Sequence, residues 1–375
     1  MYIKKFIDKV LLIATDVIDK FIIHHRRNVE KRKFRDPRRM AIWKSVELTA
    51  DQKQEIDDFY LEHYGQKVPT IWHRHFMAYC GRFDKAFIPE LIYIPEFEYF
   101  MNPYKEYVSV LSDKNCLYSF AKRARVKMPK PILFNQKGFI WGDGVKGRAF
   151  IKPTVDSCSG RGCRIIDIDD GNVDKVSGES IESIVSEYGN DYVIQEIVSC
   201  HNSIADIYPN GVNTFRIITY RWKNEIKHIP SIMRIGRGGS FIDNAHAGGM
   251  FIGIYEDGSL CPVAFTEFKE CFTKHPDTNV VFNGYKIDLF PKVLEAACEM
   301  HKIVPQVGVV NWDFTIDAEG DPLLIEANTS GGSIWLSQMA HGVAPFGEDT
   351  ADILQWLRKN KKCKKTKREL YYYGK

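Results

Sequence analysis

Gly308-Val-Val-Asn-Trp-Asp-Phe-Thr-Ile-Asp-Ala-Glu-Gly-Asp-Pro-Leu-Leu-Ile-Glu-Ala-Asn-Thr-Ser-Gly-Gly332 decides how this chain is read. Two runs of alternating apolar residues flank Ala318-Glu319-Gly320-Asp321, a β-hairpin pattern. Pairing Asp317 with Pro322 across that turn sets Asp313 opposite Glu326 and Asn311 opposite Asn328. Side chains alternate faces along a strand, so these four share one face. Trp312, Phe314, Ile316, Leu323, Ile325 and Ala327 fall on the other face, which can pack on a core.

The polar face gathers two carboxylates and two amides, with no Lys or Arg among them. Like charges directly opposite destabilise a sheet, so the pair calls for something positive between its members. Mg²⁺ fits, because it takes one or two carboxylates and fills its octahedron with water and phosphate oxygens. The competing reading is a solvated outer face.

Upstream, the strand-like runs 149–153 and 164–168 flank Thr154-Val-Asp-Ser-Cys-Ser-Gly-Arg-Gly-Cys163. Ser157, Ser159, Gly160 and Gly162 make a loop whose backbone N–H groups can approach phosphates. Lys152 stands before it on the strand. That order excludes a Walker loop, where the Lys follows the glycines. No His-Arg-Asp or Asp-Phe-Gly set marks a protein kinase. A mobile hairpin tip is the bland alternative for the loop. Lys114 lies at a helix start, and the strand 192–198 ends at Gln195-Glu196-Ile-Val198, where backbone groups can meet an adenine edge.

The order of these parts resembles the ATP-grasp superfamily over about residues 112 to 345. Glu326-Ala-Asn328-Thr-Ser-Gly-Gly is similar to the metal-binding strand of its D-alanine–D-alanine ligase branch. Asn213-Thr-Phe-Arg216, Met233-Arg234 and Asn244-Ala-His-Ala-Gly248-Gly249 resemble the glutamate-adding branch. The Asn-Thr-x-Arg run, with Trp72-His-Arg and Ile88-Pro-Glu90, looks most like the sugar-transfer-associated ATP-grasp family.

The resemblance implies an α+β fold in which two subdomains clamp ATP, beside an N-terminal mixed helical/α-β domain. It implies that Lys114 and Lys152 contact the α- and β-phosphates, with Ser159, Gly160 and Gly162 in the loop over them. Gln195, Glu196 and Val198 would line the adenine. Asp313, Glu326 and Asn328 would hold Mg²⁺ or Mn²⁺. Arg216 and Arg234 would face the γ-phosphate, and Asn244 and His246 the acceptor. Relatives place an acid past the hinge for the ribose; here the counterparts are Asn202, Asp206 or Thr214. Arg216 and Arg234 can also be read as surface ion pairs, Lys114 as a solvated first-turn residue, and His246 as a loop residue without acid–base work.

Three functions fit. One is a carboxylate–amine ligase working through an acyl phosphate, on a sugar acid or amino sugar of surface polysaccharide synthesis. The second is a phosphotransferase on a sugar. The third is a non-catalytic nucleotide-binding module.

With 375 residues, 44% hydrophobic and 27% charged, the chain is long enough for two or three domains. The expected boundaries are 1–111, 112–198, 199–358 and a basic, disordered tail 359–375. Nine scattered cysteines without a Cys-x-x-Cys exclude a disulfide framework or zinc ribbon and suit a reducing cytoplasm. Cys158 and Cys163 read as free thiols. His73 and His75 alternate on one face of a short run and are assigned no metal. Basic charge collects at 24–39 (eight Lys/Arg against two acids) and 358–369 (eight against one), so the remainder is net negative. That distribution does not mark a nucleic-acid binder.

No apolar run approaches the roughly 18 residues of a membrane span. Residues 3 to 23 show helical spacing, with Ile3, Phe6, Ile7, Val10, Leu11, Val17, Ile18 and Phe21 in one stripe. Beside a basic run, such a helix fits a membrane-surface anchor, packing on its own protein, or a homodimer contact.

Overall fold

The computed structural model describes residues 2–142, 144–154, 162–240 and 243–362, with side chains from Val17 to Lys361. Thirteen strands among them form two sheets. The smaller contains β1 (Pro131–Gln136), β2 (Phe139–Gly142), β3 (Gly147–Pro153), β4 (Arg164–Ile168) and β5 (Asp191–Gln195), in the order β2-β1-β5-β3-β4. The larger contains β6 (Thr214–Trp222), β7 (Glu225–His228), β8 (Ser231–Ile235), β9 (Met250–Ile254), β10 (Ala264–Thr266), β11 (Cys271–Phe272), β12 (Val309–Ile316) and β13 (Pro322–Asn328). Its order is β11-β10-β9-β8-β6-β12-β13, with β7 pairing β6 at the side.

The hairpin β12–β13 pairs Asp313 with Glu326 and Asn311 with Asn328, the register the sequence pointed to. It gets there differently. Ile316, not Asp317, pairs with Pro322, so the loop is one residue longer than expected. A bulge at Ile325 then adds the compensating residue on β13. The faces change accordingly. Leu324 takes the core position expected for Leu323 and Ile325, alongside Trp312, Phe314 and Ile316. Ile325 turns toward the cavity beside Glu326.

One face of the large sheet packs on the helix Phe290–Lys302 and on Leu117 and Ala121 of the helix Lys114–Ala124. Asp113 caps the latter helix by accepting from Asn115 and Cys116 N–H. This helix was expected to belong to the small subdomain, but its apolar residues lie in the large core. The small sheet has its own core of Ala149, Ile151, Ile166, Ile184 and Ile194.

The opposite face of the large sheet is polar at Asp313 and Arg216 and apolar at Ile218, Tyr220 and Val309. The apolar end is covered by helices of the N-terminal region and by the helices Trp335–His341 and Thr350–Lys362. N-terminal residues Trp72, Phe76 and Phe97 share one core with Tyr220, Trp335 and Leu357, so the described residues of 1–111 do not form a core of their own. Where mixed structure was expected, the described part of 68–111 contains helices, one with a π segment at Tyr93–Glu98. His73 and His75 lie on the helix Ile71–Cys80, where residues two apart point to different sides. The last helix reaches Lys362, so the tail begins later than expected; positions 363–375 fall outside the described residues.

Candidate active site

Asp313 lies on β12 of the large sheet, 1% exposed, between Arg216 on β6 and Glu326 on β13. Arg216 Nη2 donates to its Oδ2 at 3.0 Å, and Arg234 Nη2 stands 3.0 Å from the same oxygen. Burial pushes the Asp313 carboxyl up, but the two guanidiniums outweigh it and hold it down at about 2. The sequence reading had put no cation on this face. The register supplies one, because β6 sets Arg216 directly beside Asp313. A metal is therefore not required to offset the two facing carboxylates.

Two lysines reach the same place from the small-sheet side. Lys114 Nζ stands 4.0 Å from Glu326 Oε2 and 3.4 Å from Thr154 O. Lys152 on β3 is buried, and burial and then Lys114 lower its ammonium to about 8. Buried cations without a paired anion are costly. Lys152 lines a cavity of about 520 Å³ between the two sheets, while Lys114, Arg216 and Asn328 are outside its wall and reach it through Glu326 and Asp313. Its wall includes Lys152, Gln195, Glu196 and Val198 on one side and Arg234, Asp313 and Glu326 on the other. Of the three ribose candidates only Thr214 is in that wall. Gly162 has φ +69, the left-handed region a tight loop needs; Ser159 and Gly160 lie outside the described residues, as does Cys158. Cys163 is a free thiol in the cavity wall.

Several assigned residues have additional partners. Glu196 Oε1 accepts from Lys130 N–H at 2.8 Å. Thr214 Oγ1 meets Arg234 Nε at 2.9 Å and Asp243. Asn244 Oδ1 accepts from His246 N–H at 2.9 Å and so caps a short turn. His246 is more than half exposed and lies outside that wall, with Nδ1 2.8 Å from Glu267 Oε2. Arg39 of the N-terminal region holds Glu267 from the other side.

Sequence reasoning missed four polar residues here. Asp243 accepts from Thr214 N–H at 3.0 Å and pairs with Arg234, burial raising its carboxyl. Its place next to Asn244 was the only signal. Asn102 ties the start of β12 to the loop after β13: its Oδ1 accepts from Gly308 and Val309 N–H, and its Nδ2 donates to Thr329 O. Glu98 accepts from Gly331 and Gly332 N–H, each at 2.9 Å. Glu90 accepts from Ile334 and Trp335 N–H and from Ser333 Oγ. Nothing in the pattern Ile88-Pro-Glu90 announced that a carboxylate would be buried against backbone donors.

The donor set fits a hard divalent cation. Asn328 Nδ2 lies 3.4 Å from Asp313 Oδ2 and 3.2 Å from Glu326 Oε1, so three oxygen-bearing side chains converge. Among the described residues no three His, Cys, Asp or Glu cluster for a metal. Two carboxylates and an amide would therefore hold such an ion only with phosphate oxygens completing its shell.

The family described as sugar-transfer associated ATP-grasp matches residues 94–351. No curated protein matches the chain. Among solved structures, the chain is similar to an L-amino acid ligase from Bacillus licheniformis: 11% identity, 67% of this chain, 48% of that one, TM-score 0.38. It is similar to a D-Ala:D-Ser ligase, VanG, from Enterococcus faecalis (14%, 67% and 62%, 0.39). It is also similar to a D-alanine–D-alanine ligase from Bacillus anthracis (14%, 67% and 68%, 0.37). The match spans about half the length of the first of these.

Proposed function

The chain belongs to the sugar-transfer associated ATP-grasp family and has its α+β ATP-grasp fold, and from that premise we propose that it is an ATP-dependent carboxylate–amine ligase. The observation that supports this most is that Lys152, Arg234, Asp313 and Glu326 line one cavity between the sheets, with Lys114 beside Glu326, Arg216 paired to Asp313 and Asn328 bonded to both carboxylates.

ATP lies with its adenine along Gln195, Glu196 and Val198 and its ribose near Thr214. Lys114 and Lys152 neutralise the α- and β-phosphates. The substrate carboxylate oxygen attacks the γ-phosphorus in line, and ADP departs. The acyl phosphate then meets an amine: nitrogen bonds to the acyl carbon, phosphate leaves, and the amine gives up a proton. Arg216 and Arg234 carry the charge that develops on the transferred phosphoryl oxygens, a task suited to their planar fork of donors. Asp313, Glu326 and Asn328 would hold Mg²⁺ or Mn²⁺, which supplies charge neutralisation across the phosphates when bound. Asn244 and His246 face the acceptor side. The substrate in this reading is a sugar acid or amino sugar of surface polysaccharide synthesis, which the family's association with sugar transfer supports only as far as a sugar-linked substrate.

The experiment is mass spectrometry of products from a panel of uronic-acid and amino-sugar nucleotides, each offered with ATP, Mg²⁺ and mixed amino acids. An amide with ADP and phosphate supports the proposal. AMP and pyrophosphate would sink it. A stable phosphorylated sugar without an amide would replace it with a phosphotransferase.

A further inference from the structure

From Val17 onward, the N-terminal helix Tyr2–Lys33 turns its most exposed apolar residues away from the protein. Its inward side sets buried charge beside Ile22 and Ile23, which pack on the core. Asp19 and Glu30 are each 4% exposed, Arg26 pairs with Glu98 at 3.5 Å, and Arg27 donates to Tyr64 Oη at 2.8 Å. Its outward side is apolar: Phe21 is 71% exposed, Val17 62% and Ile18 53%. At 3.6 residues per turn these three fall within about 100° of one another, opposite Asp19, Arg26 and Glu30. In the sequence the same phase runs back through Ile3, Phe6, Ile7, Val10 and Leu11. A stripe that served the protein's own core would point inward, so the stripe has another partner.

Charge identifies it. The exposed residues from 17 to 35 include Lys20, Lys31, Arg32 and Arg35 and no Asp or Glu. The acids of that stretch, Asp19 and Glu30, are turned inward. A second copy of this chain would set one cationic surface against another. An anionic bilayer offers apolar depth for the stripe and negative charge for its flanks. We propose that this helix lies in the surface of an anionic membrane, seated by Val17, Ile18 and Phe21 and held by the exposed cations. No described helix is long and apolar enough to cross a membrane, so the contact is in the interface plane.

The same helix holds Glu98 through Arg26, and Glu98 holds the backbone of Gly331 and Gly332 just past β13. The membrane-facing element therefore braces the loop beside the candidate site. The docking proposal itself does not depend on the reaction.

The test is co-sedimentation of the full chain with phosphatidylcholine vesicles and with vesicles in which a third of the lipid is phosphatidylglycerol. Binding to the anionic vesicles, weaker by roughly tenfold or more on the neutral ones, is expected. The double variant Val17→Glu/Phe21→Glu alters only exposed positions and should melt like the parent while losing vesicle binding. Failure of the parent to bind anionic vesicles, equal binding to both lipids, or full binding by the double variant would overturn the proposal. So would lipid-free self-association, seen by sedimentation velocity and abolished by the same substitutions, which would assign the stripe to a second copy.

Discussion

Arg216 and Asp313 sit side by side on β6 and β12, with Nη2 of one donating to Oδ2 of the other at 3.0 Å. The pair joins sheet stability to the candidate chemistry. Asp313 is held near 2, below its ordinary value, so its contribution is present above the unfolded value of about 3.9 and is lost as pH falls toward 2. Arg216→Ala leaves a buried carboxylate with Arg234 as its remaining close cation. Breaking a buried pair costs about 3–5 kcal/mol, and the surviving Arg234 should keep the loss at or below the lower end. Urea unfolding at pH 7 checks this, and an unchanged midpoint would remove the pair from the account.

Lys152 gives a pH-dependent prediction. Its ammonium is lowered to about 8 by burial, so folding disfavours the charge below that pH and the cost is relieved as pH rises toward its unfolded value of about 10.4. A polyphosphate needs the charged form. ATP affinity measured calorimetrically should hold steady below about pH 8 and fall above it, while Lys152→Arg should flatten that fall. Lys152→Ala should weaken ATP by roughly tenfold without lowering the melting temperature, since it removes one charge-assisted contact. Unaltered affinity would take Lys152 off the nucleotide.

How much of this was legible in the sequence follows from range. The hairpin could be read because alternation and turn chemistry are local, and the Asp313–Glu326 pairing emerged even though the loop and the bulge at Ile325 each differed from expectation. The side taken by Leu324 and Ile325 could not be read, because a bulge is set by packing and leaves no periodic trace. Arg216 beside Asp313 is a contact between strands nearly a hundred residues apart. Glu90 and Glu98 were invisible for the same reason: their partners at 331–335 lie more than two hundred residues away. The stripe on the first helix was visible, but not which side it faces.

Glu90 makes the second pH prediction. Burial raises its carboxyl to about 8, and Glu98 to about 7, from ordinary values near 4.5. The protonated forms are favoured in the folded state, so their contribution is complete below about 4.5 and declines as pH rises through 7 to 8. Glu90→Gln keeps an acceptor for Ile334 and Trp335 N–H and should flatten this part of the stability profile. Glu90→Ala orphans those buried donors at about 1–3 kcal/mol each. Urea midpoints at pH 5 and pH 8 for the three proteins decide it; parallel profiles for parent and Glu90→Gln would contradict the assignment.

Gly332 is confined by its neighbour. A Cβ there would lie 2.0 Å from Nδ2 of Asn311, which is fully buried and donates to Asn328 O at 3.2 Å. Gly332→Ala must push Asn311 off the hairpin, at about 1–3 kcal/mol for overpacking. The predicted outcome is lowered stability and weaker nucleotide binding together. A variant that melts and binds like the parent would show that the loop has room.

The central claim is that Asp313 and Glu326 share one divalent ion with the nucleotide. Electron paramagnetic resonance of Mn²⁺ titrated into the ADP-bound protein addresses it without needing the substrate. A bound Mn²⁺ that appears with ADP, and whose affinity drops at least about tenfold in both Asp313→Asn and Glu326→Gln, is the predicted result. Equal Mn²⁺ affinity in parent and both variants, with ADP still bound, would contradict it.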